Sequence, residues 1–160
     1  MDELPNAIGT VVAALFDKLP LSQSMGQLVV TLRGDDEMMQ LAGGIVRQPV
    51  IALQPALAAG LWLYVDELAA SHRISQGIDD ATGAFWHGIM HRREGDFSNS
   101  HYWFSRAGDH PAMELIDGYD GHQLIDQVEA AHRRGETLLP LIKMQQREWT
   151  TLFAWCAQQG

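Results

Sequence analysis

Apolar residues recur three and four positions apart through most of the 160-residue chain, and proline and glycine cut that rhythm into segments of helical length. Strict alternation, the mark of a half-buried strand, has little support, so the pattern predicts an all-α fold. Residues 6–19 carry Ile8, Val11, Val12, Leu15, Phe16 and Leu19 at helical spacing, and Pro20 stops them. The stretch DDEMMQLAGGIVRQ begins acidic and ends near an arginine, the polarity a helix macrodipole favours, with Gly43 and Gly44 as its weak point. GQLVVTL, residues 26–32, fits either a short strand or a helical turn. Pro49 and Pro55 bracket a short connection, and ALAAGLWLYVDELAASHRISQ then reads as one helix with Leu61, Val65, Leu68 and His72 on one stripe.

In the second half, Asp79 and Asp80 are candidate N-caps for DDATGAFWHGIMHRRE, and Gly95 is its stop. SNSHYWFSRAG reads as a shorter helix capped by Ser98 and closed by Gly108. Two amphipathic helices follow, with Leu138, Leu141, Ile142, Trp149, Leu152, Phe153 and Trp155 available to the core. At this length, with 46% apolar residues, residues 1–160 are expected to form a single-domain bundle of about five to eight helices.

A net charge of -9 opposes binding to nucleic acid or to anionic membrane surface, both of which call for basic surface. The single cysteine, Cys156, permits no intrachain disulfide, and the N-terminus lacks the basic and apolar regions of a signal peptide. A cytoplasmic setting is therefore expected, and a homo-oligomer remains open.

Within FWHGIMHRREGD, residues 85–96, the helical rotation sets His91 at about 40° and Glu94 at about -20° from His87, so the three share one stripe. Gly83 and Ala84 are small neighbours on that stripe and leave room for a ligand. Phe85 and Ile89 point the opposite way as core anchors, and Trp86, Met90 and Arg93 border the stripe. Five of the seven histidines fall in residues 71–111: His72, His87, His91, His101 and His110. Their ordinary pKa suits proton transfer or metal ligation near neutrality.

His87 and His91, four residues apart, can chelate a divalent metal such as zinc, with Glu94 or His72 completing the set. The zincin pattern needs a glutamate directly after the first histidine, where this chain has Gly88. Arg93 and Arg106 are candidates for holding an anionic group. Arg92 points away from the stripe and reads as scaffold, and Glu94, Asp96 and Asp109 are the nearest acids for any arginine ion pair. His72 is either a buried imidazole or part of the site. Asn99, Tyr102 and Arg106 share a face of the next helix, whereas Trp103 and Phe104 pack inside; Trp62, Trp149 and Trp155 read as core.

The run WHGIMHRREGDFSNSHYWFSRAGDHP, preceded by SHRISQ, resembles an uncharacterised, mostly bacterial protein family with the pattern W-H-x-I-x-H-R-R-E-x-D-x-x-N-x-x-Y-W-F-x-R-x-G-x-H-P. The resemblance covers residues 71–111. It implies that His72, Gln76, Trp86, His87, His91, Arg92, Arg93, Glu94, Asp96, Asn99, Tyr102, Trp103, Arg106, His110 and Pro111 form one unit. Ser105 stands where the pattern usually carries arginine, which removes a basic role there.

Together these features predict a helical enzyme, or enzyme-like domain, binding or acting on a small polar or anionic molecule by acid-base or metal-assisted chemistry. His87, His91 and Glu94 would be catalytic, and His72, Gln76, Trp86, Arg93, Asn99, Tyr102, Arg106 and His110 would contact the ligand. The alternative is a non-catalytic sensing or interaction module in which the same groups are a structural polar network.

Overall fold

The computed structural model describes residues 3–160. It is all-α, with α1 (Asn6–Lys18), α2 (Asp36–Val46), α3 (Pro49–Ala52), α4 (Pro55–Tyr64), α5 (Leu68–Ser75), α6 (Ala81–Glu94), α7 (Phe97–Ala107), α8 (Pro111–Glu114), α9 (Gly121–Arg133) and α10 (Leu139–Ala157). A single 3-10 turn covers Leu21–Gln23, and there is no strand among the described residues. The described residues form ten helices rather than five to eight because α3 and α8 are four-residue turns, each started by a proline in its first turn. A proline there loses no hydrogen bond, since that N–H would be unpaired anyway.

Aspartates set four of the helix starts. The side chains of Asp35, Asp80, Asp96 and Asp120 accept hydrogen bonds from the N–H groups of Met38, Gly83, Asn99 and Gln123. Each such cap is worth about 1 kcal/mol. Asp96, not Ser98, therefore caps α7, and Ser98 lies inside the first turn. Gly95 at φ 87° ends α6, a left-handed position that suits glycine.

Two segments depart from the sequence reading. GQLVVTL is irregular, neither strand nor helical turn. The long helix expected through ALAAGLWLYVDELAASHRISQ is broken between α4 and α5, where Asp66 adopts φ 61°. The apolar rhythm carries across the break because both helices face the same interior.

The main core packs α1, α4, α6 and α10 around Leu15, Leu57, Leu61, Phe85, Trp86 and Trp149, and a smaller cluster sits beneath α9 with Leu124, Val128 and Ile142. Phe16, Tyr64, Trp149 and Phe153 form an aromatic stack within the main core. Trp149 is fully buried; Trp62 and Trp155 are half-buried, and Leu138 is exposed at the mouth of α10. Helix α6 lies at the centre, packed on α4, α5 and α7, and every residue from Gly83 to Arg93 is buried. Among the described residues, no helix is long and apolar enough to cross a membrane.

Candidate functional site

A buried helix that carries HRRE must pair its charges. Arg92 meets Glu148 of α10 at 2.7 Å, both side chains wholly buried, and Tyr119 Oη also donates to that carboxylate. Arg93 donates to Asp66 at 2.7 Å, to Leu63 O at 3.0 Å and to Gln27 O at 3.2 Å. Arg93 is thus a scaffold cation whose two Nη groups are bonded inside the protein, and it does not face a ligand. The partners are remote acids, not the neighbouring Glu94, Asp96 and Asp109.

The histidines of α5 and α6 converge. His72 lies 4.8 Å from His87 and 5.4 Å from His91, ring centre to ring centre, and the α6 pair are 4.7 Å apart. One ring nitrogen from each of the three falls within 4.8 Å of the others. His87 and His91 are buried and His72 is half-buried. The break after α4 makes this geometry, because it turns α5 so that His72 reaches α6.

The surroundings set the state of each ring. His91 Nδ1 lies 2.5 Å from Glu94 Oε1 and Nε2 lies 3.2 Å from Asn99 Nδ2, so both ring nitrogens have partners and an ion on Nε2 would displace the Asn99 amide. A carboxylate behind an imidazole fixes its tautomer and raises its basicity toward a metal. Burial, then the neighbouring His91 and His72 rings, push the His87 pKa down to about 4, which keeps that ring neutral near pH 7. Its Nδ1 is buried with no hydrogen-bond partner, as are Trp86 Nε1 and the Nε atoms of Arg92 and Arg93. Trp103 covers His87, stacked at 3.9 Å. Asp96 also stands near His91 and Glu94 as a second carboxylate, although it caps α7.

The remaining sequence candidates divide. Tyr102 and Arg106 are exposed beside Trp103, with the guanidinium carbon 5.6 Å from the Trp103 ring centre and no acidic partner among the described residues. Gln76, the C-cap of α5, is exposed one turn beyond His72. Trp86 is fully buried against Gly60, a core side chain and not a pocket wall. His110 caps α8: Nδ1 accepts from Ala112 N–H at 3.1 Å and Nε2 meets Thr82 Oγ1 at 2.9 Å, so both nitrogens are occupied.

The space expected over Gly83 is filled by the chain itself. A Cβ on Gly83 would lie 2.1 Å from Ile78 O, so this glycine admits the turn before α6 rather than a ligand. Gly88, likewise, lies under Phe104, where a Cβ would come within 2.6 Å of the ring. A side chain after His87 would press on the Phe104 ring, so the position a zincin gives to glutamate is a packing position here. Trp103 is the contact that the sequence reading placed inside; its signal was its position one turn beyond Asn99 on the same face. Asp66 and Glu148 left no comparable signal.

Comparison with protein-family models, with curated proteins and with solved structures finds no match to this chain.

Proposed function

We propose that the chain holds a divalent cation of the zinc class on His72, His87 and His91 and uses it to act on a small polar or anionic molecule. The carrying observation is the convergence of three imidazoles from two helices, with one ring nitrogen of each inside 4.8 Å. Three histidines leave a fourth position of a tetrahedral ion open to water or substrate, which is the donor set of a catalytic rather than a closed structural site. Such an ion activates a bound water or polarises a carbonyl or phosphoryl oxygen. Glu94, half-exposed behind His91, positions that ring and can take a proton at the site's edge. Arg106, beside Tyr102 and Trp103, is a cation without an acidic partner among the described residues and can attract an anionic substrate. The lone buried Cys156 suits a reducing, cytoplasmic setting.

The test is elemental analysis of tag-free protein purified under zinc-replete conditions. One equivalent of metal is expected, falling to background in His87→Gln/His91→Gln; a metal-free wild type overturns the reading. The second reading, a structural polar network, draws on the wholly buried Arg92–Glu148 pair. It predicts that the same double variant sharply lowers the melting temperature, with no metal in either protein.

A further inference from the structure

We propose that a cleft between α2 and α5, on which three arginines converge around Trp62, binds a phosphorylated small molecule carrying a planar ring, of the nucleoside diphosphate class. The cleft has a volume of about 670 Å³. That is within the range of small-molecule sites, roughly 300–1,000 Å³. Arg33 comes from the segment before α2, Arg47 is the C-cap of α2 and Arg73 belongs to α5, so three separate parts of the chain bring their cations to one place.

In a chain of net charge -9 this is the reverse of the prevailing surface. Arg33 has only a 3.4 Å contact with Asp36, and neither Arg47 nor Arg73 has an ion-pair partner among the described residues. Arg92, Arg93, Arg133 and Arg134 are each paired. Like charges gathered without partners cost stability, and an anion relieves that cost. Glu67 is the remaining acid of the lining and can accept from a ligand hydroxyl or amine.

Trp62 supplies the second half of the recognition. It is half-buried and lines the cleft beside Gly43. A Cβ on Gly43 would lie 3.4 Å from Trp62 Cη2 and 3.7 Å from Arg47 Nη1, so the indole edge and the guanidinium sit together over bare helix. Guanidinium forks match phosphate oxygens two at a time, and three of them exceed what one carboxylate needs. The indole face stacks on a planar ring.

Isothermal titration of the tag-free full chain with ADP and with inorganic pyrophosphate tests this without reference to the imidazole trio. ADP should bind more tightly than pyrophosphate. Arg47→Ala and Arg73→Ala should each weaken ADP about tenfold, the effect of losing a charge-assisted hydrogen bond. Trp62→Ala should weaken ADP and leave pyrophosphate unchanged, and Arg147→Ala, an exposed arginine elsewhere, should change nothing. All three cleft positions are accessible to solvent, and far-UV dichroism verifies that the variants fold. Absence of heat with ADP at millimolar concentration, retained affinity in Arg47→Ala/Arg73→Ala, equal affinity for the two probes, or an equal loss in Arg147→Ala would each overturn the proposal.

Discussion

Arg93 Nη2 lies 2.7 Å from Asp66 Oδ1, so a wholly buried guanidinium of α6 is fastened to the residue whose left-handed backbone separates α4 from α5. Asp66→Ala leaves the guanidinium with carbonyl oxygens alone. We expect a loss of about 3 kcal/mol, the low end for a broken buried pair because Asp66 retains some solvent. Asp66→Asn, which tolerates the left-handed region and still accepts a hydrogen bond, should lose less. Urea unfolding midpoints measure both, and an unchanged midpoint in Asp66→Ala would refute the role.

The Arg92–Glu148 pair should behave as a coupled unit. Glu148→Leu alone strands a buried cation and should cost about 3–5 kcal/mol, whereas Arg92→Met/Glu148→Leu should recover much of that loss. A double-mutant cycle by chemical denaturation reads the coupling; additive losses would show that the two side chains act independently.

Gly88→Ala separates two opposing effects. Intrinsic helix propensity favours alanine by about 1 kcal/mol. The added Cβ, 2.6 Å from Phe104, should instead destabilise by about 1–3 kcal/mol through overpacking. The sign of the shift in melting temperature decides between them, and Gly88→Ala/Phe104→Leu should restore part of the loss.

If His91 ligates a metal as proposed, Glu94 would act through that ring, which it meets at 2.5 Å. Glu94→Gln should weaken metal affinity about 10–100-fold, as loss of a carboxylate behind a ligating imidazole does, while stoichiometry at saturating metal is kept. Competition against a chromophoric chelator gives the affinity. An unchanged value would remove Glu94 from the site.

His110 supplies a pH dependence. Burial lowers its pKa below the ordinary 6.5, with Asp80 opposing. Between the folded and unfolded values the unfolded chain binds more protons, so this contribution to stability is present above about pH 6.5 and is lost as pH falls toward the folded pKa. His110→Asn, which can still cap α8, should flatten the fall in unfolding free energy below pH 6.5; an identical slope in both proteins would assign it to other groups.

The fold class was legible because helical spacing and capping residues are local, and the stripe of His87, His91 and Glu94 follows from helix rotation alone. What escaped was set by distance. The break at Asp66 leaves the apolar rhythm intact, and its partner Arg93 lies 27 residues onward. Small residues are equally ambiguous: Gly83 reads as room for a ligand, yet the room is taken by Ile78. Arg93 looked like a ligand contact for the same reason, since a sequence shows an arginine's reach but not the acid it finds.

The burial of α6 also has a consequence for biosynthesis. Arg92 must wait for a counter-ion 56 residues further along. At a synthesis rate of about 5–20 residues per second, that wait is roughly 3–11 s. During it the emerging chain holds an unneutralised cation on its central helix, and the bundle cannot close around that helix until α10 leaves the ribosome. Completion of this fold is thereby tied to synthesis of α10, and nascent chains stalled before residue 148 should remain open to proteases.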